Sequence, residues 1–147
     1  MVNVKAVVRV LFVTIVLGLY SNLGYSAASA PAADPCQSPN ATKLSVPIST
    51  GSVGGVELIP ASSRSIHVCG FAVSPPGGGI FQFAYGSPCS AGSVPPLTAL
   101  TGGMYMGSNV TPLSYSGPGT IFSVPAGNAL CLVTGIPLYG VVTYTQP

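Results

Sequence analysis

The chain has 147 residues, of which 48% are hydrophobic and only 4% are charged, and its formal net charge is +2. Disordered chains are poor in apolar residues. Val, Ile, Leu, Phe and Tyr recur along this chain, so it is not disordered as a whole. Four Lys and Arg in all exclude the clustered basic surface that nucleic-acid binding requires.

The first 30 residues have the pattern of a secretory signal peptide. Lys5 and Arg9 accompany an almost wholly apolar run from Val10 to Tyr20, and the small residues of "SNLGYSAASA" follow. The apolar run is about half of the roughly 20 residues that a transmembrane helix needs, which disfavours the alternative of an uncleaved anchor. We therefore predict a secreted protein, extracellular, periplasmic or on the cell surface, that meets a membrane only during export.

Few charges remain once this leader is removed. The positive charges of Lys43 and Arg64 balance the negative charges of Asp34 and Glu57, so the exported chain has no formal net charge. Soluble domains usually carry about a quarter charged residues, and near-zero net charge removes the repulsion between copies. Either uncharged polar groups hydrate a monomer, or identical copies or a larger assembly cover the surface. We favour assembly.

The exported part reads as an N-terminal extended segment at 31–42 followed by a single β-sandwich domain at 43–147. Apolar residues alternate with polar ones, and Gly and Pro separate the runs, a pattern typical of short strands. We predict an all-β, antiparallel sandwich of seven to eight short strands, jelly-roll-like and stapled by disulfides. The runs are "KLSVPIS", "GVELIP", "RSIHVCGFAV", "IFQFAYG", "GTIFSV", "NALCLVT" and "LYGVVTYT".

Two turns predict hairpins. The glycines and prolines of "SPPGGG", residues 74–79, separate two strands, and "PAG" before Asn128 suits a three-residue loop with Gly127 in the left-handed conformation. That register places Val124 opposite Asn128 and Cys131 opposite Ile121.

The same register divides the apolar side chains between two faces. Leu130 and Leu132 share one face with Phe122, whereas Cys131 shares the other with Ile121. Phe81, Phe83 and Tyr85 form a further core set, as do Cys69, Phe71 and Val73. Most of the stretch from Ser90 to Pro118 is predicted as loop. Within it "LTALTGGMYMG" fits either a strand or a loop, and Met104, Tyr105 and Met106 are placed at an exposed tip.

The four cysteines all follow the leader. An even number in an exported chain indicates two disulfides, for which three pairings are possible. We favour Cys36 with Cys69, which ties the N-terminal segment to an early strand, and Cys89 with Cys131, which ties a central loop to the C-terminal strands.

No motif indicates a reaction, a metal or a cofactor. A Cys–His–Asn set of Cys131, His67 and Asn128 would need an unpaired thiol among leucines, which raise a thiol pKa. A two-carboxylate glycosidase would need Asp34 and Glu57 in one cleft. We predict a protein that is not an enzyme.

Tyrosines are the candidate contact residues for a ligand or an interface. Aromatic side chains can stack on sugars or anchor protein contacts. The candidates are Tyr85, Tyr105, Tyr115 and Tyr139.

Several strings resemble a group of short, signal-bearing hypothetical proteins of bacteria and their phages. They are "DPCQSP", "IHVCGF", "FQFAYG", "LTG", "VPAGNALCLVTG" and "GVVTYTQ", and they span nearly all of the exported chain. That group has no assigned activity, so the resemblance implies a shared fold and shared cysteine placement. The "PAGN" turn and the final "VVTY" strand are also similar to jelly-roll domains of phage coat and fibre proteins, a likeness of fold alone.

These observations together predict an exported structural or adhesive protein that associates with itself or joins a surface or virion-like assembly. The alternative is a small secreted module that binds a glycan or another surface ligand.

Overall fold

The structure, a computed structural model, describes residues 33–51, 53–90, 96–107 and 112–147. The predicted signal peptide lies outside these ranges. Within them no helix is long and apolar enough to cross a bilayer. The described strands are β1 (Leu44–Thr50), β2 (Gly54–Ile59), β3 (Ile66–Ser74), β4 (Gly79–Gly86), β5 (Thr98–Ala99), β6 (Met104–Met106), β7 (Leu113–Ser116), β8 (Phe122–Val124), β9 (Ala129–Thr134) and β10 (Leu138–Thr145).

The strands form two antiparallel sheets of five, which confirms the predicted all-β class. Sheet A has the order β1-β10-β3, with β7 and β8 both paired to the far edge of β3. Sheet B has the order β2-β9-β4, with β5 and β6 both paired to the far edge of β4.

The winding is that of a jelly roll. When β5 and β6 count as one position, and β7 and β8 as another, the chain occupies eight positions, in the order 1-8-3-6 in sheet A and 2-7-4-5 in sheet B. Two such four-stranded sheets wound as Greek keys define that architecture. The structure has ten strands rather than the predicted seven to eight, because two of the eight positions each consist of two short strands.

Side chains from both sheets meet between them in the main core. Phe83 of sheet B lies 5.1 Å, centroid to centroid, from Phe71 of sheet A and 5.2 Å from Phe122 of the same sheet. Alternate residues of the strands point inward, so Phe71, Val73, Phe81 and Phe83 of the predicted core sets lie in the main core, with Tyr85 partly buried against it. Cys69 was wrongly placed with Phe71 and Val73, because the register of β3 shifts at this residue and its side chain is bonded to Cys36 outside the main core.

Both predicted hairpins are wrong, because each turn joins strands of different sheets. β3 and β4 do not pair, and residues 75–78 cross from sheet A to sheet B. Gly127 does adopt the predicted left-handed conformation, with φ of 81°. The turn nevertheless leads from β8 to β9 on the opposite sheet, so Val124 pairs with Ile66 rather than with Asn128. The strands before each of these two turns build one wall of the core, and the strands after them build the opposite wall.

The face assignment of β9 is confirmed. Leu130 and Leu132 are fully buried in the main core, whereas Cys131 points to the outer side of sheet B and is also fully buried there. Ile121 was wrongly placed with Cys131, because it precedes a strand of sheet A and packs against the main core.

The central stretch contains more structure than predicted. Three short strands, β5, β6 and β7, lie within it, and each pairs along the edge of a longer strand. Their two to four residues carry too few alternations to be recognised as strands.

Candidate functional site

The two predicted disulfides are both present. Cys36 is bonded to Cys69 and Cys89 to Cys131, with Cα separations of 5.4 and 5.3 Å. Cys131 therefore offers no thiol, which overturns the Cys–His–Asn arrangement around it.

The Cys89–Cys131 disulfide holds a cover over the outer face of sheet B. Cys131, Ala84 and Ala129 are fully buried there, beside Cys89 at 6% exposure. Leu97 packs against this small apolar cluster. The segment that carries Cys89, rather than a second sheet or a second copy, covers the apolar side of β9.

The Cys36–Cys69 disulfide holds an N-terminal strap, residues 33–42, against the outer face of sheet A. The strap contains backbone turns at Asp34–Gln37 and Ser38–Ala41. It reaches from the edge strand β1 to the segment before β8, and it lines a groove together with Thr145, which is only 2% exposed.

A carboxylate fixes the far end of the strap. Asp34 accepts the backbone N–H of Thr120 at 2.8 and 3.1 Å, its hydroxyl at 2.7 Å, and the backbone N–H of Cys36 at 2.8 Å. The Thr120 backbone bond and then its hydroxyl hold the pKa of Asp34 below the ordinary value, although burial opposes them. The Cys36 N–H and the nearby His67 ring lower that pKa further. We call these contacts the Asp34 latch.

The groove between the strap and the C-terminal residues has a volume of about 530 Å³. Its charged side chain is Arg64, whose guanidinium donates to the carbonyl oxygen of Gln146 at 3.3 Å. The Gln146 side-chain amide in turn donates to the Ser62 hydroxyl at 3.0 Å. These bonds hold the C-terminal strand in place.

The histidine and the carboxylates are not assembled into a catalytic set. Nδ1 of His67 lies 2.9 Å from the hydroxyl of Ser123 on the neighbouring strand. Glu57 is exposed on the outer side of sheet B, opposite Cys131, whereas Asp34 lies against sheet A. Among the residues that the structure describes, no three His, Cys, Asp or Glu side chains are grouped to hold a metal.

The predicted tyrosines lie on different surfaces. Tyr85 points inward and packs against the main core, and Tyr115 stacks on Phe71 at the β7 edge with centroids 6.2 Å apart. Tyr105 is 74% exposed on the outside of sheet B, and Tyr139 is 52% exposed on the outside of sheet A. No shared aromatic platform results.

Charge is confined to one end of the sandwich. We use the name charged end for the end of the sandwich at which the strands β1, β3 and β9 start. All ionic side chains beyond residue 32, and the histidine, lie at that end or in the half nearest to it: Asp34, Lys43, Glu57, Arg64 and His67. The opposite half, which includes the described β1–β2, β3–β4 and β9–β10 connections, is the uncharged end.

The uncharged end carries two exposed surfaces on opposite sides of the sandwich. Within the described residues, the strap and the segment that carries Cys89 pack against the outer faces near the charged end. Strand register places the outward-facing residues of the remainder in two sets. Face A, on sheet A, comprises Pro47, Ser49, Ala72, Ser74, Tyr139 and Val141; face B, on sheet B, comprises Gly55, Ile80, Gln82, Tyr105 and Val133.

Sequence reasoning missed this segregation, although one signal was present. Tyr139 and Val141 are two residues apart, and Leu138 and Val142, which alternate with them in the strand, are also apolar. Successive side chains of a strand point to opposite faces, so the pattern indicates an apolar outer face as well as an apolar inner one. The position of the charges could not be seen, because it depends on which strand ends meet.

Comparison of this chain with family models, with curated proteins and with solved structures found no match.

Proposed function

We propose that this protein is an exported, non-catalytic structural protein whose copies associate through uncharged surface. The observation that carries the proposal is the segregation of charge. Exposed Tyr105 and Ile80 lie on one side of the uncharged end, and exposed Tyr139 and Val141 on the other. Contiguous exposed apolar surface marks interaction sites, and no like charges there would repel a second copy.

The two disulfides support export. They suit an oxidising compartment, and both close loops around the sandwich itself. The jelly-roll winding agrees with the resemblance to phage coat and fibre domains, as an analogy of fold.

Association would use side chains rather than strand addition. Pro47 interrupts the edge strand β1, and a register shift between Glu57 and Ile59 interrupts the edge strand β2. The other edges consist of strands of two to four residues. Short, bulged or proline-containing edges are poor templates for pairing with another chain, which leaves the faces.

Sedimentation equilibrium on the exported form tests the proposal. We expect the weight-average mass to rise with protein concentration. Because the contact carries no charge, the rise should persist when salt is increased from about 0.1 M to about 1 M, which screens ionic contacts. A monomer at every concentration would reject self-association.

A second candidate function is glycan binding, and Tyr139 favours it. Strand register places this exposed ring between Ser49 and Ser74, so an aromatic face has a hydroxyl on either side. Aromatic stacking with flanking hydroxyl groups suits a neutral sugar. Hits on an array of neutral glycans, lost in Tyr139→Ala, would support this function instead.

A further inference from the structure

The groove between the strap and the C-terminal residues holds a cation in a fixed position. The Arg64 guanidinium donates to the carbonyl oxygen of Gln146. The Ser62 hydroxyl accepts the backbone N–H of Arg64 and donates to its carbonyl oxygen, so the backbone at this cation is fixed as well. A guanidinium has five N–H donors, and the bond to Gln146 leaves others for a group that is bound in the groove.

A buried hydroxyl group also lines this groove. Two other buried threonines have partners, because Thr50 bonds to the backbone of Leu138 and Thr134 to the backbone of Ile136. Thr145 is 2% exposed and lines the groove, yet its hydroxyl forms no hydrogen bond to a residue within the described ranges. Buried polar groups are normally hydrogen-bonded, so this hydroxyl indicates a partner that the described chain does not supply.

The charged side chains near the groove favour an anion. Arg64 lines the groove, and Lys43 lies in the chain between two lining residues, Thr42 and Leu44. Asp34 is also next to lining residues in the chain, but its carboxylate is engaged by the hydrogen bonds of the Asp34 latch. The groove therefore presents positive charge, to which a negatively charged group is complementary.

The remaining polar groups match a ligand with several hydroxyl groups. Four further lining side chains carry hydroxyl or amide groups, which both donate and accept hydrogen bonds. They are Ser38, Asn40, Thr42 and Gln146. The groove volume of about 530 Å³ lies within the range of roughly 300–1,000 Å³ that is typical of small-molecule sites. A guanidinium binds a carboxylate through two parallel hydrogen bonds, so the groups together fit a molecule with one carboxylate and several hydroxyl groups.

We infer that this groove binds an acidic sugar unit, with its carboxylate on Arg64 and one of its hydroxyl groups on Thr145. The site lies at the charged end, whereas the surfaces proposed for association lie at the uncharged end. It therefore adds a ligand to the protein without depending on the proposed function, and the failure of either proposal leaves the other intact.

Saturation-transfer NMR on the exported form tests the inference with D-glucuronate as the probe. D-glucose has similar hydroxyl groups without the carboxylate, and acetate has the carboxylate without the hydroxyl groups. We expect D-glucuronate to bind, and each of the other two to compete with it at least about tenfold more weakly than unlabelled D-glucuronate itself, because each lacks one set of hydrogen bonds.

Two variants of the protein locate the ligand in the groove. Arg64→Gln should weaken D-glucuronate binding about tenfold or more, since it removes a hydrogen bond to a charged group. Lys43→Gln is its matched control, because it removes the same charge from a residue that does not line the groove, and it should change the affinity less than about twofold.

Thr145→Val should weaken binding about three- to tenfold, because it removes the buried hydroxyl and keeps the shape of the side chain. Thr143→Val is the control for this variant, since Thr143 lies on the same strand and does not line the groove. It should bind D-glucuronate like the wild type.

Three outcomes would overturn the inference: D-glucuronate does not bind at millimolar concentration, Arg64→Gln leaves its binding unchanged, or acetate or D-glucose competes as strongly as D-glucuronate. Binding that survives in a folded Thr145→Val variant would remove the hydroxyl from the site. Circular dichroism shows whether each variant is folded. If Thr145→Val misfolds, Arg64→Gln still decides the outcome, because Arg64 is exposed and the fold should tolerate its replacement.

Discussion

The two disulfides fix loops of similar length to opposite sides of one sandwich, yet the surfaces they protect differ in kind. Cys89 and Cys131 seal a dry cluster in which Cys131, Ala84 and Ala129 are fully buried. Cys36 and Cys69 hold a strap whose other attachment is the carboxylate of Asp34. The first cover is held by apolar packing and the second by hydrogen bonds. The two disulfides should therefore contribute to the stability of the protein in different ways.

Removing the disulfide of the dry cluster should have the largest effect. For a separation of 42 residues, the loop-closure entropy corresponds to about 4 kcal/mol. Cys89→Ala with Cys131→Ala should lower the free energy of unfolding by that amount or more, because it also leaves a small cavity. Urea denaturation followed by circular dichroism measures the loss, and a loss below about 1 kcal/mol would contradict it.

The equivalent change at the strap should cost less, although its separation of 33 residues gives nearly the same loop entropy. In Cys36→Ala with Cys69→Ala the freed strap can detach while the sandwich stays folded. The native state then gains freedom along with the unfolded state, and the expected loss is about 2 kcal/mol. Hydrogen exchange should show the strap opening separately from the strands. Equal losses in both double variants would remove the distinction between the two covers.

A methyl group at Gly119 should disturb the Asp34 latch without touching either disulfide. A Cβ there would lie 2.5 Å from Oδ2 of Asp34 and 3.2 Å from Nε2 of Gln37. We expect Gly119→Ala to lower the free energy of unfolding by about 1 kcal/mol. Gly117→Ala is the control, because the nearest atom to its Cβ would be 3.9 Å away. The prediction fails if the two variants have the same stability.

The smallest change, Asp34→Asn, should alter the pH dependence of stability. A carboxyl whose pKa is lowered on folding stabilises the protein above its ordinary pKa, here 3.8, and loses that contribution as the pH falls through the lowered value. Asp34→Asn should therefore be less stable than the wild type at neutral pH, with the gap closing in acid. Denaturation at several pH values checks this, and a gap that does not change with pH would argue against the latch. Glu57→Gln removes an equal charge from an exposed strand position and should leave stability at neutral pH within about 0.5 kcal/mol of the wild type.

The elements that could be predicted are those that depend on local alternation. Alternation predicts Leu130 and Leu132 on one side of their strand and Cys131 on the other, and the structure confirms this although the predicted pairing partners of the strand are wrong. Side chains alternate in any strand, whichever strand pairs with it. The even number of cysteines indicates two disulfides, and the structure confirms the pairing that we favoured among the three possible ones.

Pairing between strands could not be predicted, because turn residues fix only the reversal of the chain. Gly127 adopts the positive φ that its turn requires, yet the strands on either side belong to different sheets. A turn can join two paired strands or two strands of opposite sheets. Which of these occurs depends on how residues distant in sequence are buried in the core. The candidate faces depend on the same choice, since Tyr139 meets Ser74 only when β10 lies beside β3.

The position of β10 has a consequence for folding. This last described strand lies in the middle of sheet A, between β1 and β3, so Leu44 pairs with Tyr144 across almost the whole described part of the chain. Sheet A cannot be completed before this strand is in place, and contacts of such long sequence separation make folding slow. A chain that lacks its C-terminal residues must therefore remain incompletely folded, and both walls of the core can close only after those residues have joined β1 to β3.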